Sequence, residues 1–513
     1  MLFNSYSFLF AFLPVVLLGY YACARQFGPG SAKIWLCIAS LVFYGWWNPA
    51  LLVLLGGSIT FNYLLSTRLH GGDTAHSGRQ SVILAAAITA NILLLFYYKY
   101  LYPMLGFFYE HGWIHFEPHS VILPIGISFF TFTQIGFLVD CRQGLVRERG
   151  FLNYLLFVSF FPHLIAGPVL HHREVMPQFA DPKTYRLRVE NIAVGLTLFA
   201  VGLGKKTLLA DSIANWADLG YAKTLQLDFL TSWSVALAYS MQLYFDFSGY
   251  SDMAIGLGIM FAIRMPLNFN SPYRSLSIIA FWQRWHMTLT RYVTLLVYNP
   301  LSLKVARHRQ RAGLPMSREA AGTLSGFTGM IAFPTFATTL IVGAWHGAGL
   351  QFAVYGGLHG LYLCINHLWR VFRRPLIVAS ARQPGIWPAI LWRGLLTYLA
   401  VVISQVFFHA HSVPDASLML KGLLGSYGSG FPLSPLVGSH LLAVAGLLVA
   451  AFALPNVYQI LGDFSPALTP VQPLKLRFLT WRPTTANAIA YGALLGVAAL
   501  WIDRTVRFLY FQF

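Results

Sequence analysis

Charge is scarce in this 513-residue chain: Asp, Glu, Lys and Arg together make up 10% of it, against 57% for hydrophobic residues. A soluble domain carries roughly 25% charged residues, so this composition cannot coat a water-facing surface of such a size. A soluble enzyme and a disordered chain are excluded, and a polytopic membrane protein remains. Acidic residues are the scarcer sign, 17 against 35 Lys and Arg. The cations fall in short stretches between apolar blocks, as in 142–149, 304–318 and 370–382, which is how cytoplasmic loops of membrane proteins distribute charge. No basic stripe interleaved with aromatics accompanies them, so nucleic acid is not an expected partner. Cysteine is also rare. Cys23, Cys37, Cys141 and Cys364 lie far apart with no Cys-x-x-Cys pairing, which argues against a disulfide framework or a cysteine metal centre. They read as small apolar residues of helices. The apolar segment 2–24 lacks the basic start of a signal peptide despite Ala22-Cys23-Ala24, so it reads as a retained span with its N-terminus outside.

Long apolar runs are what the chain has. After the first come blocks near 34–47 and 50–65, parted by the turn signal Asn48-Pro49, then 82–109 and 121–139 with a polar stretch at 110–119 between them. Later blocks fall near 191–210, 229–246, 323–345, 350–368, 386–408, 440–460 and 486–502. Placing the basic stretches inside predicts an all-α polytopic membrane protein with about 11–12 transmembrane helices. Residues 1–513 are expected to form a single membrane domain. Two regions break the pattern. Segment 151–172 is apolar but interrupted by Pro162, Gly167 and Pro168 and flanked by basic sequence, which predicts a re-entrant element. Segment 245–300 is threaded with Asp246, Asp252, Arg264, Arg274, Arg284, His286 and Arg291. A charge at the bilayer centre costs roughly 2.5–3.5 kcal/mol, so these helices must pack inside the protein, lie at the interface or line a polar cavity.

Several motifs fail on inspection. Gly202-Leu203-Gly204-Lys205-Lys206-Thr207 lacks the first glycine of a phosphate loop and has Lys where Ser or Thr should follow. His111, His115 and His119 have helical metal-ligand spacing, but Gly112 and Pro118 make a continuous helix doubtful, and no metal site is expected. There is no Gly-x-Ser-x-Gly elbow. His346 survives, within Val342-Gly343-Ala344-Trp345-His346-Gly347-Ala348-Gly349, between two apolar blocks without nearby Lys or Arg. A neutral imidazole tolerates such a place better than a carboxylate and accepts a proton near neutral pH, and the glycines would let the backbone bend and a substrate approach closely. The competing reading is a histidine that only bridges packed helices. His286, in Phe281-Trp282-Gln283-Arg284-Trp285-His286-Met287, is the second candidate, against the reading of an interfacial aromatic belt with a snorkelling Arg. His359, 13 residues beyond His346, would not share its helix face.

At these residues the sequence resembles the membrane-bound O-acyltransferase superfamily, in particular its bacterial polysaccharide O-acetyltransferase branch, which includes the alginate acetylation membrane subunit. Five stretches carry the likeness. They are Phe160-Phe161-Pro162-His163-Leu164-Ile165-Ala166-Gly167-Pro168, then Tyr244-Phe245-Asp246-Phe247-Ser248-Gly249-Tyr250-Ser251-Asp252-Met253-Ala254, then Asn268-Phe269-Asn270-Ser271-Pro272-Tyr273 running on to Arg284-Trp285-His286. Trp345-His346-Gly347 and the terminal Phe508-Leu509-Tyr510-Phe511-Gln512-Phe513 complete the set. His163 stands where Gln is expected, His171 where Arg is expected, and Gln283 where a basic residue is expected.

The resemblance implies helices around a central tunnel, with His346 as the catalytic general base and His286 as the second functional histidine. It implies that Arg284, Trp285, Trp345, Asp246 and Asn270 bind the donor or line the tunnel, and that Tyr510 carries the acyl group as a relay. The bland alternative for the tail, 503–513, is an aromatic interfacial anchor. No cofactor is expected to be resident. Acetyl-CoA from the cytosol is the expected donor, with Arg274, Arg284 and Arg291 available to its phosphates, against the reading that they are only positive-inside anchors. The expected place is the cell inner membrane, among membrane lipids, with a periplasmic acetyltransferase as partner and an exported polysaccharide as final acceptor. D-alanyl transfer to teichoic acid is the alternative within the superfamily. A secondary transporter using Asp246 and Asp252 is the alternative from another class.

Overall fold

A computed structural model describes residues 1–69, 77–119, 121–222, 226–378, 386–502 and 509. The secondary structure of these residues is helical, with no strand among them. Six helices are long and apolar enough to cross a membrane: Phe8–Phe27, Gly78–Glu110, Val189–Gly220, Leu324–His346, Pro388–His409 and Pro435–Ala453. Ala50–Ser66 and Thr485–Leu500 are shorter apolar helices. The protein is thus an all-α, multi-pass membrane protein. The other expected spans are also helical, as Pro29–Gly45, Ile127–Arg142, Phe229–Met260 and Leu350–Val378, but they fall outside the same joint measure of length and hydropathy. They carry the polar residues that the interior holds, such as Ser40, Gln134, Gln242, Asp246 and His359, all buried.

The chain forms two compact units. The first is Met1–Leu208 with Asp246–Leu267 and Pro455–Gln512, and the second is Leu209–Phe245 with Asn268–Leu454. In the first, Phe3, Phe8, Phe43, Phe161 and Tyr250 pack ring against ring, with Phe3 stacked on Tyr250 at 4.7 Å. Segment 151–172 is a broken helix rather than a span. Phe151–Ser159 ends where Phe160 leaves the helical region (φ −51°, ψ 108°), Phe161–Leu164 adds one turn, and the chain is then irregular to His171. Residues 156–170 are buried throughout, so its irregular backbone is shielded from lipid. Gly167 is required there: a Cβ would lie 2.6 Å from the His163 Cα and 2.7 Å from the Pro162 carbonyl oxygen. His163 donates from Nε2 to the Phe157 carbonyl at 2.8 Å, a bond the expected Gln amide could also supply.

Two glycine contacts set the interior of this unit. The helix Val189–Gly204 meets the later half of Phe229–Met260 at Gly195 with Gly256 and at Gly202 with Gly249. A Cβ on Gly202 would stand 2.5 Å from the Gly249 carbonyl oxygen, and one on Gly256 would stand 2.5 Å from that of Gly195. Small residues bring the two backbones together, as they do in membrane helix pairs generally. That approach lets Lys205 and Lys206 reach the carboxylates of the facing helix.

Overpacking a tight contact costs about 1–3 kcal/mol. Gly202→Ala should therefore lower the Tm of the detergent-purified protein. Gly56→Ala should leave it unchanged or raise it, because a Cβ at Gly56 meets nothing within 4 Å. Equal Tm values for the two variants would contradict the glycine contact.

Candidate functional site

His346 is the last residue of the helix Phe333–His346, which pairs with Leu350–Val378 in a tight helical hairpin. The glycines of this motif serve that pairing. A Cβ on Gly343 would stand 2.3 Å from the Phe352 carbonyl oxygen, and one on Gly347 would stand 2.1 Å from the Phe352 ring. The space expected for a substrate at Gly343 and Gly347 is occupied by the neighbouring helix, because close helix packing was the stronger demand. His346 itself is buried, 7% exposed, and edge-on to Trp345 at 4.9 Å, Phe408 at 5.0 Å and Tyr355 at 5.9 Å.

His286 lies between two helices, Ile278–Trp282 and Met287–Val293, rather than within one. It is 1% exposed and sits in the left-handed region at φ 41°, ψ 51°, a conformation that costs a non-glycine residue about 1–3 kcal/mol. Asn268 over-determines it. The Asn268 Oδ1 lies 3.0 Å from the His286 Nδ1, 2.8 Å from the Thr288 Oγ1 and 3.4 Å from the Thr288 backbone nitrogen, and its carbonyl accepts from the Met287 N–H at 2.9 Å. With Oδ1 as acceptor, Nδ1 carries the ring proton, and Nε2 is inferred to bear the lone pair. Sequence reasoning named Asn270 and passed over Asn268, two positions away in the same motif. Asn270 donates its backbone N–H to the Arg284 carbonyl at 2.9 Å, which fixes the loop that presents Trp285 and His286. Arg284 is half-buried, and Arg274 donates to the Leu454 carbonyl.

An unbroken series of ring contacts joins the two histidines. It runs His286, Phe269, Trp285, Phe281, His359, Tyr355, His346, with centroids 4.7–6.3 Å apart at each step. Sequence order separates these residues and the fold of the second unit gathers them. His359 has both ring nitrogens engaged: Nδ1 accepts from the Trp282 indole at 3.2 Å, and Nε2 lies 2.9 Å from the Ser404 hydroxyl. It holds the wall in place.

Asp246 and Asp252 belong to the first unit. Lys206 Nζ is 2.7 Å from the Asp246 Oδ1, and Lys205 Nζ is 2.6 Å from the Asp252 Oδ2. The stretch that fails as a phosphate loop thus supplies the counter-ions for both aspartates. A carboxylate already paired with an ammonium does not need a transported ion to be stable inside, which removes the reason for the transporter reading. The other oxygen of Asp246, Oδ2, accepts the backbone N–H of Leu509 at 3.0 Å, and Leu509 is 2% exposed. Leu509 is thus seated inside protein. Tyr510 and the terminal aromatic residues lie outside the described residues.

One cluster escaped sequence reasoning. The Asp140 Oδ2 lies 3.1 Å from the His171 Nε2 and 2.7 Å from the His172 Nε2, on the basic side of the helix Ile127–Arg142 beyond its apolar run. Burial would raise the Asp140 pKa, but hydrogen bonds from the two histidines outweigh it and hold the carboxyl below the usual range. Burial pushes His172 below its ordinary value. The ligating atoms lie within 4.8 Å of one another, a spacing that suits a divalent cation, although hydrogen bonding already accounts for the grouping. His171, standing where Arg is expected, keeps a donor on the carboxylate.

Comparison with known proteins adds an independent line. Residues 138–314 match the sequence model of MBOAT, the membrane-bound O-acyltransferase family. A peptidoglycan O-acetyltransferase of Helicobacter pylori is 40% identical over 455 residues, covering 83% of this chain and 80% of that protein. A probable alginate O-acetylase of Pseudomonas aeruginosa is 35% identical over 471 residues, 89% of this chain and 82% of that one. A teichoic acid D-alanyltransferase of Bacillus subtilis is 26% identical over 401 residues, 78% of this chain and 95% of that one.

Leaving a buried donor without its acceptor costs about 1–3 kcal/mol. Asn268→Ala should therefore lower the Tm of the purified protein, and Asn268→Asp, which keeps an acceptor oxygen, should lower it less. Equal losses in the two variants would show that the acceptor does not hold His286.

Proposed function

The chain belongs to the MBOAT, membrane-bound O-acyltransferase, family, and from that premise we propose that it passes acetyl groups from cytosolic acetyl-CoA across the inner membrane for O-acetylation of an exported glycan. The observation that carries the reading is His346: a buried imidazole at the end of a membrane-crossing helix, walled by aromatic rings. Such a place excludes water from a reactive acyl group and keeps a neutral base ready. Relatives named for O-acetylation, at 35–40% identity, support acetyl over D-alanyl transfer, for which the cited relative stands at 26%. The first acceptor to test is peptidoglycan, named in the 40% identical relative.

The chemistry needs a nucleophile, a base and a way to leave the anionic nucleotide behind. Tyr510 is the nucleophile in this proposal. His346 takes the phenolic proton as the tyrosine oxygen attacks the thioester carbonyl. The C–S bond then breaks, and the departing thiolate of CoA takes that proton from the imidazolium. The product, an acetyl ester of a phenol, remains an activated donor. A periplasmic acetyltransferase partner then moves the acetyl group to a sugar hydroxyl and regenerates the tyrosine. His286, oriented by Asn268, lies on the donor side with Trp285 and Trp345 as wall, and Arg274, Arg284 and Arg291 serve the CoA phosphates by charge-assisted bonds.

Radiolabelled acetyl-CoA supplied to proteoliposomes tests the reading. The wild-type protein should become acetyl-labelled on its tail. General-base assistance is typically worth about 10²–10⁴ in rate, so His346→Ala should abolish labelling while the protein still inserts and folds. Tyr510→Phe keeps the ring and removes the nucleophile. Glycan acetylation persisting at the normal level in Tyr510→Phe would leave the tail as an anchor only, and normal turnover in His346→Ala would end the base assignment. Separately, Arg284→Ala should weaken acetyl-CoA binding in titration calorimetry, and unchanged affinity would remove Arg284 from the donor site.

A further inference from the structure

We propose that the Lys206–Asp246 ion pair is a clasp that seats the C-terminal tail, with the Asp246 carboxylate binding the backbone N–H of Leu509 and so fixing the residue that precedes Tyr510. The clasp stands on its own geometry, and only its consequence for acyl transfer rests on the relay reading of Tyr510.

Three groups of the first unit carry it. The Asp246 side chain is 1% exposed and that of Lys206 is 4% exposed, with Nζ to Oδ1 at 2.7 Å. The second carboxylate oxygen receives Leu509, 263 residues away in the chain, at 3.0 Å. A buried carboxylate has acceptor sites on both oxygens, and one ammonium neutralises its charge without saturating them. A backbone N–H fills the remaining demand on Oδ2. That choice of donor has a consequence: it reads the position of the tail backbone and not its side chains. Leu509 is itself 2% exposed, so its seat is inside protein, where an interfacial anchor would instead place it toward headgroups.

The neighbouring pair shows what the tail adds. Asp252 lies on the same helix, six positions along, with Lys205 at 2.6 Å. Lys205 comes from the packed helical body. Among the described residues, Asp246 takes one partner from that body and one from the tail. Tyr510 follows Leu509 in the chain, so a restraint at Leu509 acts one peptide unit from it. Asp246 is therefore a positioning residue for the tail, and a reason for this helix to carry a charge at that place.

The test is hydrogen–deuterium exchange of the full-length protein in detergent, read by mass spectrometry on the C-terminal peptide. The chief variant is the double substitution Lys206→Met with Asp246→Leu, which replaces the pair by apolar residues of similar size and leaves no unpaired buried charge. A hydrogen bond to a charged group is worth roughly 10- to 150-fold in an equilibrium, so exchange at Leu509 should accelerate by about that factor. Exchange in the helix Thr485–Leu500 should stay as in the wild type. Unchanged exchange at Leu509 in the double variant would overturn the clasp. So would a wild-type Leu509 amide that exchanges at the unprotected rate, a result that needs no variant to fold. For the consequence, acetyl labelling of the tail should fall in the double variant. If Tyr510→Phe shows that no relay exists, the exchange result still judges the clasp by itself.

Discussion

Holding charge away from water is the constraint on which the first unit depends. The helix Phe229–Met260 brings two carboxylates, Asp246 and Asp252, into an apolar interior, and each requires a cation at contact distance. The cations are consecutive residues, Lys205 and Lys206, at the end of a helix that approaches closely only because glycine faces glycine at two levels. Packing and electrostatics are therefore one arrangement. A side chain at Gly202 would push the backbones apart and stretch the ion pairs beyond their partners.

The second unit meets the same demand with neutral groups. Several of its buried polar side chains are held in this way: His286 by Asn268, His359 by Trp282 and Ser404, and Tyr273 by the Ser240 carbonyl at 2.8 Å. Each bond fixes a ring, and the rings stand against one another between His286 and His346. The result is a wall whose orientation is set by hydrogen bonds and whose interior is apolar. A neutral imidazole persists in such surroundings and an isolated carboxylate does not. That difference explains why the candidate base of this membrane enzyme is a histidine.

Much of this was legible along the chain. Hydropathy located some helices to within a few residues: the block near 323–345 is Leu324–His346, that near 386–408 is Pro388–His409, and that near 486–502 is Thr485–Leu500. It missed the ends of others: the block near 229–246 runs on to Met260, and that near 440–460 is Pro435–Ala453. The broken segment 151–172 announced itself through Pro162, Gly167 and Pro168. His286 and His346 stood out as ionisable groups in apolar surroundings. Other residues were misread. Gly343 and Gly347 looked like room for a substrate and instead admit a helix. Lys205 and Lys206, rightly set aside as a phosphate loop, were given no role and are counter-ions. Asn268, which orients His286, was passed over for Asn270 because nothing in a motif says which of two asparagines turns its side chain inward.

What the sequence by itself determined is therefore what depends on sums and local periods: the membrane class, the helical fold, the positions of the spans and the short list of histidines worth testing. Apolar area and basic loops are additive, so they can be counted without knowing any contact. The tertiary structure decided partnership. Asp246 meets Leu509 across 263 residues, Asn268 meets His286 across 18, and His359 meets Ser404 across 45. Hydrogen bonds and ion pairs act over a few ångströms and require direction, so which donor faces which acceptor is fixed only when the helices have packed.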